Sequence, residues 1–448
     1  MMVFVAEDAD FGVFGGVCVL TAVTLSVCAA AILWWRPHLA VRPSMQLACL
    51  YIAFFLWPLT VFAPNIAKWL PDPYAFLMAL AAFVLALFVW NLVSLEMATR
   101  EVWRRTTQAS RPDMRRVVLA VVILSLCSIV IMTGYFHVVP PTQTGLVVAL
   151  IDPSSSTIAR EESLKLLDDV FTKYSFSIFA SGIGPMLGVL LGTCIVHALR
   201  VQRYFSFLLA AILFVAVLVS LSITGARSFA VSTLLAVFLA ALLRRGFRMR
   251  LLPVVVSALL VVLPAILITV FREGRGFEFT TLAGQIMAVV GERMFVSPLE
   301  VGATYVHLAQ THGYIGLASI PKLAELWNGS AGMDVPNIVG LSYFGGGAES
   351  VSANAGFVPS YFAYFGPLGV IAAIVCAASL DLVLLCYRWI DDSLLVPCMG
   401  VLGAAMLALL SVDFTVILIT YGFLIVPAIA SGLSFFMRGL PPVGSGRR

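Results

Sequence analysis

The sequence predicts an all-α, polytopic membrane protein of about eleven transmembrane helices with two large outer loops. Three observations carry that expectation. Hydrophobic residues make up 61% of the 448 and charged residues only 11%, against about 25% charged in soluble domains. Apolar runs of spanning length recur from one end of the chain to the other. Arginine falls mostly on one side of those runs, as the positive-inside rule requires of a multi-spanning chain. Neither a soluble domain nor a nucleic-acid binder has this composition.

The start, MMVFVAEDAD, is acidic where a cleavable signal needs a basic region. The first apolar run, 11–35, therefore reads as a membrane helix. Further runs follow at 44–63, 74–96, 117–138, 175–199, 205–223, 228–243, 251–270, 360–386, 394–411 and 414–436. With the N-terminus outside and the C-terminus inside, the inner segments hold Arg36 and Arg42; Arg100, Arg104, Arg105, Arg111, Arg115 and Arg116; Arg200 and Arg203; Arg244, Arg245, Arg248 and Arg250; Arg388; and Arg438, Arg447 and Arg448. These are eighteen of the 27 basic residues, and none is a lysine. The outer side then holds two long polar segments, 139–174 and 271–359. The whole, 1–448, reads as one integral membrane domain whose chemistry is built on those loops. The tail PPVGSGRR reads as disordered. The eight cysteines lie in apolar runs with no CxxC pair, so they read as small buried hydrophobes.

Chemistry begins at Thr224-Gly225-Ala226-Arg227, the tight outer turn between two runs. A snorkelling anchor is the plainer reading of Arg227. A functional role is favoured, because short outer turns disfavour basic residues and ionisable groups in membrane segments usually face cavities or partners. In the long loop, Arg293 precedes Ser297-Pro298-Leu299-Glu300. Ser297 suits an N-cap, Pro298 the first helical position, and Glu300 a capping box. The helix should end at Gly313. Backbone N–H groups and a guanidinium at such a start favour phosphate or carboxylate; an ion pair of Arg293 with Glu292 or Glu300 explains it equally well. Arg272 and Arg275 fit interfacial anchors as well as ligand contacts. Gly345-Gly346-Gly347 reads as a hinge or lid.

In the smaller loop, Ile158, Leu164, Leu167, Val170, Phe171 and Tyr174 repeat at helical spacing, and the residues alone give no reason to prefer Arg160 to Lys165. His307 and His312, five apart, do not share a helix face and lack a third ligand, so no metal site is expected. No nucleotide-binding fingerprint appears. Acids within the spans are few, Asp381 near an inner end and Asp413 at a short outer turn, fewer than an ion-coupled transporter usually needs.

Three stretches resemble the O-antigen polymerase (Wzy) family: TGARSFAVSTLLAVFLAALLRRG, ERMFVSPLEVGATYV and SVSANAGFVPSYFAYFGPLGVIAAI, the last with Asn354 ahead of Phe365-Gly366. Arg160 in IAREESLKLL stands where some members carry loop arginines. The likeness covers about 160–427. Some members place Gly eleven positions after each loop arginine; here Phe171 and Thr304 stand there. The resemblance implies a GT-C-like fold in a bacterial inner membrane. It implies polymerisation of undecaprenyl-pyrophosphate-linked oligosaccharides at the periplasmic face, for O-antigen, capsule or exopolysaccharide. A chain-length regulator and a flippase would be its partners, alongside membrane lipid. No cofactor or metal is implied. Arg160, Arg227 and Arg293 would stabilise the leaving pyrophosphate. Arg272, Arg275, Glu300, His307 and Asn354 would bind substrate, with Glu161, Glu300 or His307 to take the acceptor proton. Related ligases use a loop histidine, which keeps a glycan ligase open through His307 or His312. A transporter or flippase of lipid-linked sugars is the alternative outside the class.

Overall fold

The computed structural model describes residues 9–107, 112–151, 170–224, 227–246, 295–316, 333–344, 353, 355–412 and 414–438. Regular structure among them is entirely helical. Seven helices are long and apolar enough to cross a membrane: Gly12–Trp35, Pro43–Trp69, Pro73–Val93, Met114–Val138, Phe171–Arg200, Tyr204–Leu221 and Pro367–Tyr387. Three shorter apolar helices are Ser228–Arg244, Asp392–Ala408 and Ile425–Met437. The expected run at 251–270 lies outside the described residues. The helices leave large apolar side chains uncovered; Leu20, Val130 and Phe205 are 68%, 72% and 80% exposed. Such surfaces need a hydrocarbon surrounding, so the protein belongs in a membrane.

Two expected spans are broken rather than continuous. The run 360–386 divides into Phe357–Phe365 and Pro367–Ser379. Gly366 between them has φ +62°, which only glycine adopts at little cost, and Pro367 starts the second helix at the position proline favours. The run 414–436 divides into Phe414–Ile419 and Ile425–Met437, with Gly422 at φ +76° in the gap. The cysteines also depart from expectation. All are unpaired, but only Cys18 and Cys398 are buried, while Cys127 and Cys386 are exposed. An apolar helix face turned outward accepts a thiol as readily as a core does.

The chain divides into two compact units. The first comprises Met1–Arg100, Ile286–Leu382 and Met406–Val416. Here Ala9–Trp35 packs along Trp57–Trp69, and Pro73–Val93 takes Pro43–Tyr51 and Pro367–Ser379 against it. Asp72 caps Pro73–Val93 by accepting the Ala75 N–H at 3.0 Å. Tyr51, fully buried, sits among Phe55, Phe83 and Phe357 with ring centroids 4.9, 4.9 and 6.1 Å away.

A polar knot fastens this unit. Arg42 and Asp381, both wholly buried, are paired at 2.6 Å. The Asp381 carboxylate also accepts from Ser44 N (2.9 Å), Ser44 Oγ (2.6 Å) and Trp90 Nε1 (2.9 Å). Arg42 donates further to the Asn91 and Ser94 carbonyls at 3.1 and 2.7 Å. Every strong donor around the carboxylate is matched, the condition for a buried ion pair to persist. Nearby, Glu96 receives Arg100 at 2.7 Å and His38 at 2.9 Å. Partial burial pushes its carboxyl up, but the close contact with His38 and the hydrogen bond from Arg100 outweigh that and hold it below the usual glutamate range.

The second unit comprises Glu101–Gln285, Val383–Ala405 and Ile417–Arg448. Gly184–Arg200 is its central helix, packed against Met114–Val138, Tyr204–Leu221 and Arg227–Arg244. Two aspartates meet the basic segment that the sequence placed inside. Arg105 pairs with Asp392 at 2.6 Å and donates to the Tyr387 carbonyl at 2.8 Å. Arg116 pairs with Asp391, whose backbone N–H donates to Ser434 Oγ at 2.8 Å.

Candidate functional site

The polar segment that the sequence singles out is described chiefly through the helix Ser297–His312 in the first unit. Its start differs from the expected capping box. Val296, the residue before it, is already helical at φ −85°, ψ −56°, and no side chain caps the helix. Ser297 therefore lies inside the helix, where its hydroxyl is not placed to cap the first turn. Glu300 is released from capping and instead accepts from the Tyr343 hydroxyl on the helix Val335–Phe344. The other end is as expected: the helix stops at His312, and Gly313 follows at φ +86°.

Burial makes this helix rigid. Val301, Tyr305 and Ala309 join Val335, Val339, Ala353, Ala355, Ala363 and Tyr364 in one buried cluster. Tyr305 donates its hydroxyl to the Ala353 carbonyl at 3.1 Å. Gly302 lies so near Pro359 that a Cβ would be 3.1 Å from its ring. Gln310 and Asp72 exchange two hydrogen bonds, Asp72 N to Gln310 Oε1 at 3.1 Å and Gln310 Nε2 to the Asp72 carbonyl at 2.9 Å.

On this scaffold stand two groups able to move protons. Glu300 is half-buried and held by Tyr343. His307 lies two turns further along the same face, about 10 Å away at 1.5 Å rise per residue. Its ring is parallel to the Trp69 indole, centroids 6.0 Å apart at 9°. Its Nδ1 is buried and has no hydrogen-bond partner among the described residues, a costly state for a polar atom. His312, by contrast, is exposed and its Nδ1 meets Thr311 Oγ1 at 2.7 Å. The structure thus separates two histidines that the sequence left equal. At their separation, Glu300 and His307 cannot exchange a proton directly; each would act on its own substrate atom.

Arg227 is the first residue of the helix Arg227–Arg244 in the second unit. Turn residues 222–224 lead toward it, and their Ile223 carbonyl accepts from Leu146 N at 3.0 Å. The sequence put Arg227 in the turn ahead of a helix from 228; the helix instead begins at Arg227 itself, and nothing further is described of its side chain. Arg160, Glu161, Arg272, Arg275, Arg293 and Asn354 lie outside the described residues, as do the glycine hinge, Asp413, the C-terminal tail and most of the amphipathic segment from Ile158. The knot of Arg42 and Asp381 went unforeseen. Its one sequence signal was an acid inside an apolar run, which by its cost demands a partner.

The chain matches no protein-family model, no curated protein and no solved structure.

Proposed function

We propose that this membrane protein is a metal-independent glycosyltransferase that polymerises lipid-pyrophosphate-linked oligosaccharide units, with a GT-C-like bundle of about eleven spans. It would lie in a bacterial inner membrane with its N-terminus outside and its two long loops in the periplasm. The supporting observation is a half-buried carboxylate, Glu300, held by Tyr343 on a core-anchored helix within the longest polar segment of an otherwise apolar chain. A fixed carboxylate is what deprotonation of an acceptor hydroxyl requires. The attacking oxygen bonds the donor's anomeric carbon, the carbon–oxygen bond to the pyrophosphate breaks, and the acceptor proton passes to Glu300. Arginines at the outer mouth, Arg227 and Arg293 foremost, with Arg160, would take the charge of the departing pyrophosphate. Arg272, Arg275 and Asn354 complete the proposed substrate contacts.

The second reading, a ligase that transfers finished glycans, is favoured by one observation: His307 carries a buried nitrogen with no partner among the described residues. The glycolipid profile of a deletion strain distinguishes these readings. Loss of the polymerase leaves single capped repeat units, whereas loss of a ligase leaves full-length chains on the carrier lipid. Accumulation of inward-facing lipid-linked units indicates a flippase and defeats both. In purified protein, Glu300→Gln should abolish chain growth with protein level unchanged, and Tyr343→Phe should lower its rate. A fully active Glu300→Gln would remove this residue from the mechanism.

A further inference from the structure

At one end of the second unit, the helices Gly184–Arg200, Arg227–Arg244 and Asp392–Ala408 border a cavity of about 350 Å³. Arg200, Arg244 and Arg245 line it. Asp392 also lines it, but its carboxylate is already engaged by Arg105 at 2.6 Å. None of the three arginines has an ion-pair or hydrogen-bonding partner among the described residues. Arg244 is half-buried, and the charge that acts on it is another cation, Arg200. The segments directly next to the lining in sequence, 108–111 and 247–250, add arginines and no Asp or Glu. Arg200 and Arg245 are exposed and screened, so the strain falls on Arg244, a half-buried cation beside a second cation, which an anion at the cavity mouth would relieve.

The rest of the wall is apolar, with Val196, Val237 and Val396 among the lining residues. Glycine at position 192 keeps Gly184–Arg200 close to its neighbour; a Cβ there would lie 3.3 Å from Val237. A cationic mouth on an apolar wall, at the ends of membrane-crossing helices, fits an amphiphile better than a free anion. Guanidinium groups bind phosphate oxygens in pairs, and basic pockets between membrane helices take anionic headgroups.

We propose that this cavity binds the phosphate of an anionic phospholipid headgroup, with Arg200, Arg244 and Arg245 on the phosphate and the valines against the start of the acyl chains. The charge argument holds whichever way the chain crosses the membrane, and it does not depend on glycosyl transfer.

The test uses the purified full chain in neutral detergent, with bound lipid counted by native mass spectrometry and affinity taken from lipid-dependent thermal unfolding. Phosphatidylglycerol should be retained and raise the unfolding midpoint, and phosphatidylcholine should do neither. The triple variant Arg200→Gln, Arg244→Gln, Arg245→Gln should weaken phosphatidylglycerol binding on the order of a hundredfold, several-fold per arginine. Arg104→Gln, at an exposed arginine paired with Glu101 at 2.8 Å, should bind normally. Val196→Trp narrows the cavity without changing charge and should also weaken binding. It carries the test, with Arg200→Gln alone, if the triple variant does not accumulate. Equal protection by inorganic phosphate would reassign the site to a soluble phosphate compound and overturn the lipid. Equal binding of the two lipids, or unchanged binding by the variants, would overturn the site itself.

Discussion

Removing one partner of the Arg42–Asp381 pair should destabilise the protein more than any other single polar substitution in the first unit. Asp381→Ala leaves a fully buried guanidinium without its counterion and strips Ser44 N, Ser44 Oγ and Trp90 Nε1 of their acceptor. Breaking a buried pair by deleting one member costs about 3–5 kcal/mol. Asp381→Asn keeps the shape but turns an NH₂ toward atoms that are themselves donors, so it should fall near the lower end. Arg42→Met leaves the carboxylate with three neutral donors and should cost a similar amount. The double variant Arg42→Met/Asp381→Leu removes both charges. Its cost should be well below the sum of the singles, with a coupling of about 2–3 kcal/mol. Unfolding in mixed micelles with increasing dodecyl sulfate, followed by far-ultraviolet circular dichroism and tryptophan fluorescence, gives all four free energies. Singles that cost under about 1 kcal/mol, or that simply add, would refute the pair as the fastening of this unit.

Other outcomes are expected elsewhere. Arg227→Ala should abolish polymer with protein level unchanged, whereas Arg227→Lys, keeping charge but losing the planar fork, should retain partial activity; normal chains from the alanine variant would reduce Arg227 to an anchor. The lowered Glu96 carboxyl contributes stability that is fully present above its ordinary value of 4.5 and is lost as pH falls through its lowered one. Glu96→Gln should therefore flatten the acid limb of the unfolding midpoint against pH, and an unchanged limb would contradict the contacts from His38 and Arg100. Reporter fusions after Arg250 and Arg438 should read cytoplasmic and a fusion near Gly346 periplasmic; a cytoplasmic signal near Gly346 would overturn the orientation. Chain growth by purified protein should survive EDTA, and activity restored by one particular divalent ion would contradict a metal-free reaction.

Seven of the expected spans were legible because a bilayer imposes a length and a composition on each helix separately, so a local window suffices. The stop at Gly313 was legible for the same local reason. The break at Gly366 was written in Phe365-Gly366-Pro367, yet the apolar run continued through it, and hydropathy alone counted one helix where backbone chemistry makes two. The capping box failed because a capping residue must itself be non-helical, and with Val296 already helical Ser297 lies inside the helix. Long-range partners were the least legible. Glu300 finds Tyr343 and His307 finds Trp69 only once the chain is folded, and no spacing encodes either meeting. The same holds for the three arginines at 200, 244 and 245, which the sequence shows as an inner-side bias and the fold gathers around one cavity.

Arg42 and Asp381 are 339 residues apart in the chain. At synthesis rates of about 5–20 residues per second, roughly 20–70 s separate the emergence of the arginine from that of its counterion. For that interval Arg42 is a cation whose final berth has not yet been made, and it must be sheltered at the membrane edge, by water or by lipid phosphate. The helix Pro43–Tyr51, which Arg42 immediately precedes, therefore cannot settle to its final depth until the stretch around Asp381 is inserted. Completion of the first unit is thus timed by a late segment of the nascent chain, and a truncated product would carry an exposed, unmet charge by which quality control could recognise it.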